Sequence, residues 1–215
     1  CLLVLDWLFL FFDWKKFLVI SRNEHAVDRP GDSDSLFWKL DFVHEHLPDW
    51  MAKPRVERRR LGFQNPLTHS AIYGQASTGK AGVGGRAYAM FIDEFSQIEE
   101  DFEVLHRTSD TTGARICNGT HRGTDTAFFQ LTDPRTVVGA FIHKIQLHWT
   151  QHPGKRRGLY RFNPLKNLID IIDKSYGFPP DYQFNMSGQP TGGPFPGLRS
   201  PWYDQQCARK GDARA

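Results

Sequence analysis

The sequence predicts an α/β fold with a mostly parallel sheet flanked by helices. Short apolar runs, such as residues 17–20 and 87–92, have the length and continuous hydrophobicity of strands that are buried on both faces. Segments with helical apolar spacing lie between such runs, and strands that alternate with helices are typical of parallel sheets. With 215 residues, 40% of them hydrophobic, the chain is long enough to bury a substantial core.

The first elements follow from apolar spacing and from helix-ending or turn residues. Residues 2–12 form an apolar run that is shorter than the roughly 20 residues of a membrane span, so we predict a buried helix. A short strand over 17–20 comes next. A helix should then begin after Asp34 or Ser35, either of which can cap it, and end before Pro48.

The later elements are predicted in the same way. They are a hairpin of residues 56–64 and 69–75 around Asn65-Pro66, a strand ending before Asp93, a helix carrying Ile98, Phe102 and Leu105, a strand over 114–117, a helix through Ala127, Phe128 and Leu131, a long or broken strand over 137–149, and a last helix over 165–175. Residues 177–200 hold five Pro and five Gly without apolar periodicity, which predicts a linker.

Charge and cysteine content exclude some classes of protein. Three cysteines without a CxxC pair suggest neither a disulfide framework nor a zinc site. The net charge of +3 is too small to indicate nucleic-acid binding by itself. Two basic runs, one over 55–60 and one over 155–157, fit either an ordinary charged surface or a DNA track, and the sequence leaves both interpretations open.

Two adjacent carboxylates, Asp93 and Glu94, follow directly after the apolar run 87–92. An apolar strand with Asp-Glu at its carboxyl end is the Walker B arrangement of P-loop ATPases. There the Asp holds hydrated Mg²⁺ and the Glu polarises the attacking water. The same pattern also fits a buried strand that leads into a helix N-terminus, where acids interact favourably with the dipole. The flanking segments must decide between the two.

A phosphate-binding loop should accompany a Walker B strand, and residues 74–81 are the obvious candidate. They fit G-x-x-x-x-G-K, but Ala81 stands where a Ser or Thr hydroxyl should reach Mg²⁺. Asp93 follows only thirteen residues after Lys80, which leaves no room for the helix of a parallel crossover. We therefore predict that 74–81 is a mobile, Gly-rich loop leading into the Asp93 strand and is not the phosphate-binding loop.

Four segments stand in a fixed order along the chain: residues 17–28, the Gly-rich loop, residues 91–98 and residues 116–123. Together they resemble the ATPase part of the large terminase subunits of tailed phages, the motors that pump DNA into capsids. The resemblance implies a P-loop NTPase-like fold, with a truncated ATPase domain over 1–176 and a linker plus the start of an absent nuclease domain over 177–215. It also implies that the Walker A loop lies before Cys1, which is not a Met.

The resemblance further implies roles for three residues. Asp93 would be the Walker B acid that holds Mg²⁺ through water, and Glu94 would be the catalytic acid, so that both take part in binding ATP and Mg²⁺. Thr120 would belong to the coupling motif, which senses the γ-phosphate. The residues on either side of Thr120 depart from the Ser/Thr-Thr-Pro pattern of the family, so Thr120 alone is carried over.

Arg86, just before the Asp93 strand, has two interpretations. Members of the family often place in this loop an arginine that acts in trans on the nucleotide of a neighbouring subunit. The planar fork of a guanidinium suits the phosphate oxygens of a transition state. Alternatively, Arg86 packs at the strand start in a surface ion pair.

The function implied by the resemblance is ATP hydrolysis, with Mg²⁺, coupled to translocation of double-stranded DNA into a capsid. The implied partners are the DNA, further copies of the chain in a ring on the capsid portal, and a small terminase subunit, in the cytoplasm of an infected bacterium and without a membrane. Without its phosphate loop the chain should be inactive alone. The alternatives are a non-catalytic motor-like fragment or nucleic-acid-binding module, and another Asp-Glu ATPase such as a helicase.

Overall fold

A computed structural model of the protein describes residues 1–52, 55–77, 85–186 and 197–210. The chain divides into two units, Cys1–His143 and Lys144–Ala215, and each unit has a sheet of its own. The linker predicted from Gly177 begins inside the second unit, and the domain limits at 176 and 177 stay a prediction. No helix in the described ranges is long and apolar enough to cross a membrane.

The first unit is built on one six-stranded sheet. In chain order its strands are β1 (Lys16–Ser21), β2 (Glu57–Arg59), β3 (Gly62–Asn65), β4 (Ser70–Ala76), β5 (Ala89–Ile92) and β6 (Arg115–Cys117). Their spatial order is β2-β3-β4-β1-β5-β6. β4, β1, β5 and β6 are parallel, whereas β2 and β3 add antiparallel strands at one edge. The predicted mostly parallel sheet is thus confirmed, and β3 and β4 form the hairpin expected around Asn65-Pro66.

Helices cover both faces of this sheet. They are α1 (Leu2–Phe11), α2 (Glu24–Val27), α3 (Leu36–His46), α4 (Asp49–Ala52), α5 (Asp101–Thr111), α6 (Ala127–Thr132) and α7 (Val137–Ala140). Phe17 and Val19 of β1 belong to a buried cluster with α1 and α3. The alternate residues Leu18 and Ile20 belong to a second cluster with α5 and α6. Because β1 is buried on both faces, its sequence is continuously apolar.

Gly74, which the sequence assigned to the Gly-rich loop, lies instead within β4 and pairs in register with Val19. A Cβ at this position would come within 2.5 Å of Val27 Cγ1 and 3.0 Å of Phe37 Cζ. The glycine therefore lets α2 and α3 pack closely on the sheet. Residues 78–84, the rest of the predicted loop, lie outside the described residues.

The second unit has a smaller, antiparallel sheet. It contains β7 (Tyr160–Asn163), β8 (Leu168–Ile171), β9 (Leu198–Arg199) and α8 (Pro201–Lys210), with strand order β8-β7-β9. Asp204 of α8 accepts a hydrogen bond from the buried Tyr160 hydroxyl at 2.8 Å and another from Arg199 Nε at 2.6 Å. The Tyr182 hydroxyl also donates to this carboxylate. One acid thus joins β7, β9 and α8.

The strand predicted over 137–149 is wrong. Its first residues form α7, and a 3₁₀ turn, Trp149–Gln151, ends the segment. Thr136 starts α7, because its Oγ1 accepts the N–H of Gly139 at 2.9 Å and so satisfies a free donor of the first helical turn. A capped helix start therefore replaces the expected strand.

The helix predicted over 165–175 is also wrong, since this segment contains β8. The side chain of Asn163 accepts the N–H groups of Leu165 and Lys166 at 3.1 and 3.3 Å, which bends the chain directly after β7. Asn167 then takes a left-handed conformation, with φ of 49°, and the chain returns antiparallel to β7.

Candidate functional site

The carboxyl ends of β1, β5 and β6 lie side by side in the first unit. The ladder continues past the strands, because Asp93 N–H donates to Ile20 O at 2.8 Å and Asn118 N–H donates to Ile92 O at 2.9 Å. Ligands of open α/β sheets bind at this edge. The structure therefore places the carboxyl ends of three parallel strands at one edge of the sheet.

Glu94 ends β5 in an unusual backbone conformation. Its φ and ψ are 49° and 40°, in the left-handed region, and a 3₁₀ turn, Phe95–Gln97, follows at once. Such a conformation costs a residue with a side chain about 1–2 kcal/mol. The Phe95 N–H donates to Asn118 O at 2.8 Å, which fixes the bend against the end of β6. Asp93 and Glu94 consequently stand half-buried at the sheet edge.

Asn118 holds the Asp93 carboxylate in place. Its Nδ2 donates to Asp93 Oδ1 at 2.8 Å. The contact follows from the register, in which Ile92 of β5 is opposite Cys117 of β6, so that the next residues of both strands are also neighbours. The sequence analysis assigns no role to Asn118, because Asn118 and Gly119 depart from the pattern of the coupling motif. An amide directly after a strand parallel to the Asp93 strand was the signal that could have revealed it.

Arg22 is a second site residue that the sequence analysis missed. It follows β1 directly, and its Nε lies 3.2 Å from Glu94 Oε2. The two side chains are 54% and 46% exposed, so this ion pair adds at most about 1 kcal/mol to stability. Its importance lies in its place, because it sets a cation against the acid expected to be catalytic.

A cavity of about 410 Å³ adjoins the two carboxylates. Its lining includes Ser21 and Arg22, and the segment between β1 and the end of α3 adds side chains of both charges: Arg29, Asp32, Asp34 and Lys39. Arg29 is paired with Asp32, with 3.6 Å between Nη1 and Oδ2. The Ser21 hydroxyl is buried and makes no hydrogen bond with any of the described residues. A buried hydroxyl without a partner is costly, so it marks a place where a ligand or water could accept or donate a bond.

The residues at this edge fit a hydrated Mg²⁺ with a phosphate ligand. Mg²⁺ prefers oxygen ligands and commonly keeps several waters, with one or two carboxylates and substrate phosphates completing its shell. Asp93, Glu94 and the free Ser21 hydroxyl supply such oxygens. The described residues hold no group of three or more His, Cys, Asp or Glu that could bind a metal by protein ligands alone.

Burial raises the pKa of the Cys117 thiol to about 11, so at neutral pH it stays a neutral thiol beside Asn118.

Thr120 and Arg86 lie away from the cavity. Thr120 is exposed, two residues beyond Asn118, and is not among the described residues that line the cavity. Gly119 between them packs closely, since a Cβ there would be 3.1 Å from Ser96 Oγ. Arg86 is exposed before the amino end of β5, at the opposite end of that strand from Glu94, and makes no ion pair within the described ranges. The roles of both residues stay predictions.

Comparisons with known proteins give one similar structure to report. No family model matches the chain, and no curated protein matches it in sequence. The solved structure of the large terminase from the thermophilic bacteriophage D6E is similar at 16% identity, with a TM-score of 0.43. The match covers 60% of this chain and 32% of that protein, so the chain corresponds to about a third of the length of the solved protein.

Proposed function

We propose that the chain is the ATPase part of a terminase large subunit, which hydrolyses ATP and uses the energy to move double-stranded DNA into a viral capsid. The observation that carries this proposal is the Asp93-Glu94 pair at the carboxyl edge of three adjacent parallel strands, with Arg22 beside Glu94 and a cavity lined by side chains of both charges. The ordered segments of the sequence connect this chemistry with packaging motors rather than with other ATPases.

Each side chain has a defined task in this proposal. Asp93, held by Asn118, binds hydrated Mg²⁺, which neutralises charge on the phosphates. Glu94 accepts the proton of the attacking water, and the pair with Arg22 keeps its carboxylate at the sheet edge before ATP binds. The guanidinium of Arg22 is placed to meet a phosphate group, because planar donors suit phosphate oxygens.

The partners in this proposal are those of a packaging motor. They are double-stranded DNA, further copies of the chain in a ring on the capsid portal, and a small terminase subunit, all in the cytoplasm of an infected bacterium. Arg86 acts in trans on the nucleotide of a neighbouring copy, and Thr120 couples the state of the nucleotide to movement. ATP hydrolysis also requires a phosphate-binding loop, and we call a version of the protein that contains such a loop the extended protein.

The test compares variants of the extended protein. Glu94→Gln should lower the ATPase rate by about 10²-fold or more yet preserve ATP binding, because the amide has the same shape but cannot take a proton. Asp93→Asn should weaken the Mg²⁺-dependent part of ATP binding. Steady-state hydrolysis and equilibrium binding of a labelled nucleotide measure the two effects.

Two controls make this test decisive. Glu99→Gln removes an exposed acid close by in the sequence and should leave hydrolysis unchanged. The 215-residue chain alone should not hydrolyse ATP at an appreciable rate, since its G-x-x-x-x-G-K segment, residues 74–81, has Ala81 where a Ser or Thr hydroxyl should reach Mg²⁺. If Glu94→Gln stayed within a few-fold of the unmodified protein, Glu94 would be only a helix-start acid and the proposed function would fail.

A further inference from the structure

Charge is divided unequally between the two units. Cys1–His143 contains sixteen Lys and Arg against nineteen Asp and Glu, a net charge of −3. Lys144–Ala215 contains eleven against five, a net charge of +6 in half the length. The mild total charge of the chain therefore conceals a strongly basic second unit, and a basic unit attracts polyanions.

Three of the four arginines in the basic run of the first unit have acid partners within that unit. Its ion pairs are those of Arg58 with Asp28 and Asp41, of Arg59 with Glu57 and of Arg60 with Glu24. Arg58 also lies over the ring of Phe63, with 4.6 Å between the guanidinium carbon and the ring centre. This run is thus a compensated charged surface, and the larger cavity beside it, of about 1210 Å³, is lined by both signs of charge.

The second unit gathers four cations at one end of its hairpin. We call Lys155, Arg156, Arg157 and Lys174 the basic cluster. Two contacts join the segments that carry them: Gly158 N–H donates to Asp173 Oδ2 at 2.9 Å, and Asp173 N–H donates to Leu159 O at 2.9 Å.

The cations of the basic cluster are accessible and unneutralised. Arg156, Arg157 and Lys174 are exposed, and Lys155 is half-buried with its ammonium 4.7 Å above the ring of Trp202. Arg157 rests near the ring of Tyr176, at 5.9 Å. No member of the cluster forms an ion pair within the described residues. Aromatic contacts therefore position two of the cations and leave their charge free.

Asp173, the acid that adjoins the basic cluster, has its oxygens occupied by other donors. Oδ1 accepts from the hydroxyl and the N–H of Ser175 at 2.6 and 3.1 Å, and Oδ2 accepts from Gly158. These bonds, the Ser175 hydroxyl first, lower the pKa of Asp173, and the charge of Arg156 contributes least. Asp173 thus orders the loop without pairing with a member of the cluster.

We propose that the basic cluster is a binding surface for the phosphate backbone of double-stranded DNA. Duplex DNA carries one negative charge per roughly 1.7 Å of its axis, so a compact group of exposed Lys and Arg can contact several phosphates at once. The choice of duplex DNA among polyanions rests on the proposed function. The surface itself rests only on the charges and contacts of the second unit.

The experiment measures binding of a fluorescent DNA duplex of about 30 base pairs to the 215-residue chain by anisotropy, over about 50–200 mM salt. The triple variant Arg156→Gln, Arg157→Gln and Lys174→Gln should bind at least about tenfold more weakly at the lowest salt. Its slope of log K against log salt should be smaller by about 2–3, since each lost phosphate contact removes about 0.9.

The matched control removes three cations that have acid partners in the first unit: Arg59→Gln, Arg60→Gln and Arg107→Gln. It changes the net charge equally and should keep most of the affinity and the slope. Equal losses in the two triple variants would overturn the proposal, because binding would then depend on total charge. Tighter binding of single-stranded RNA or of anionic lipid vesicles than of the duplex would overturn the choice of partner. Circular dichroism confirms that both variants are folded.

The DNA-binding experiment and the test of the proposed function can succeed or fail independently. Duplex binding is measured without nucleotide or Mg²⁺, and Glu94→Gln should not change it. If Glu94→Gln leaves hydrolysis intact while the cluster variant loses duplex binding, the proposed function fails and the DNA surface stands. If hydrolysis depends on Glu94 while the cluster variant binds duplex as the unmodified chain does, the surface fails and the proposed function stands.

Discussion

At the scale of single residues, Asp93 and Glu94 have different supports. Asp93 is fixed by a neutral amide, whereas Glu94 faces a guanidinium that can exchange one anionic partner for another. This difference suits their proposed tasks, because a metal-binding acid needs a fixed geometry and a proton acceptor must become available when substrate binds. Arg22 and Asn118 lie in two of the segments that carry the resemblance, but their contacts with Glu94 and Asp93 became evident only in the folded chain.

Arg86 gives a test of action between subunits. If Arg86 serves the nucleotide of a neighbouring copy, Arg86→Ala and Glu94→Gln subunits of the extended protein should each be nearly inactive. Their mixture should recover part of the ATPase activity, because only a mixed interface joins an intact Glu94 with an intact Arg86. ATPase assays across mixing ratios measure the recovery.

The exposed position of Arg86, at the end of β5 remote from Glu94, is compatible with this role. Mixing each variant with itself at the same total concentration is the control. A mixture no more active than its separate components would return Arg86 to an ordinary surface arginine.

At the scale of elements, the packing of α2 and α3 on the sheet should be disturbed by a single added Cβ atom at Gly74. Gly74→Ala places a Cβ 2.5 Å from Val27 Cγ1 and 3.0 Å from Phe37 Cζ, so the core must shift, at a cost of about 1–3 kcal/mol in the free energy of unfolding. Urea denaturation followed by circular dichroism measures this change.

Gly113→Ala is the matched control, because a Cβ at Gly113 would meet no atom within 4 Å. Its midpoint should stay close to that of the unmodified chain. Equal midpoints for the two variants would show that α2 and α3 do not press on β4 as the structure describes.

The sequence predicted helices and strands correctly where the spacing of apolar residues matches the pattern of burial in the structure. β1 and β5 are buried on both faces, so their runs are continuously apolar, and α3 and α6 were found from helical spacing. The apolar run 2–12 predicted a buried helix, but α1 exposes more than half of the Leu3, Val4 and Trp7 side chains. The helix expected to carry Ile98 begins only at Asp101, after a 3₁₀ turn. Over 165–175 the spacing of Leu165, Leu168 and Ile172 imitates a helix, but Asn163 and the left-handed Asn167 dictate a hairpin. Turn chemistry there overrode apolar spacing.

The site was predictable to the same limited extent. The three strand ends could be placed together because parallel strands present their carboxyl ends at one edge. The Asn118–Asp93 bond depends on the register of β5 and β6, and the Arg22–Glu94 pair depends on the left-handed turn at Glu94. Neither register nor backbone handedness leaves a mark in a single sequence at these positions.

At the scale of the whole molecule, each of the two units is stabilised internally by a different kind of interaction. The first has two apolar clusters on either side of its sheet. The second surrounds Tyr160 with the rings of Phe178, Tyr182 and Phe184, and Asp204 accepts bonds from Tyr160, Tyr182 and Arg199. The stability of the second unit should therefore depend more on ionisation.

Alkaline pH should expose this dependence. Burial first, and then the hydrogen bond to Asp204, raise the pKa of Tyr160 to about 12, whereas an unfolded tyrosine has a pKa of about 10. Between these values the folded state keeps a proton that the unfolded state has lost. The contribution of Tyr160 to stability is therefore complete below about pH 10 and is lost as the pH rises towards 12.

Tyr160→Phe should be less stable than the unmodified chain at neutral pH, since it loses the bond to Asp204, and the difference should shrink between about pH 10 and 12. Thermal unfolding followed by circular dichroism at several pH values measures it. Tyr88→Phe, at an exposed position of the first unit, is the control. A difference that grew with pH would contradict the burial of the neutral phenol.

The left-handed turn at Glu94 also bears on how such chains change over evolutionary time. Glycine adopts this conformation without strain and asparagine with little, so the acid is retained at the expense of folding free energy. If Glu94 has the proposed catalytic role, selection for activity keeps glutamate in place, since selection for stability alone would replace it. A related chain that no longer hydrolyses ATP should acquire glycine or asparagine at this position. The residue found there would then distinguish an active ATPase from an inactive relative.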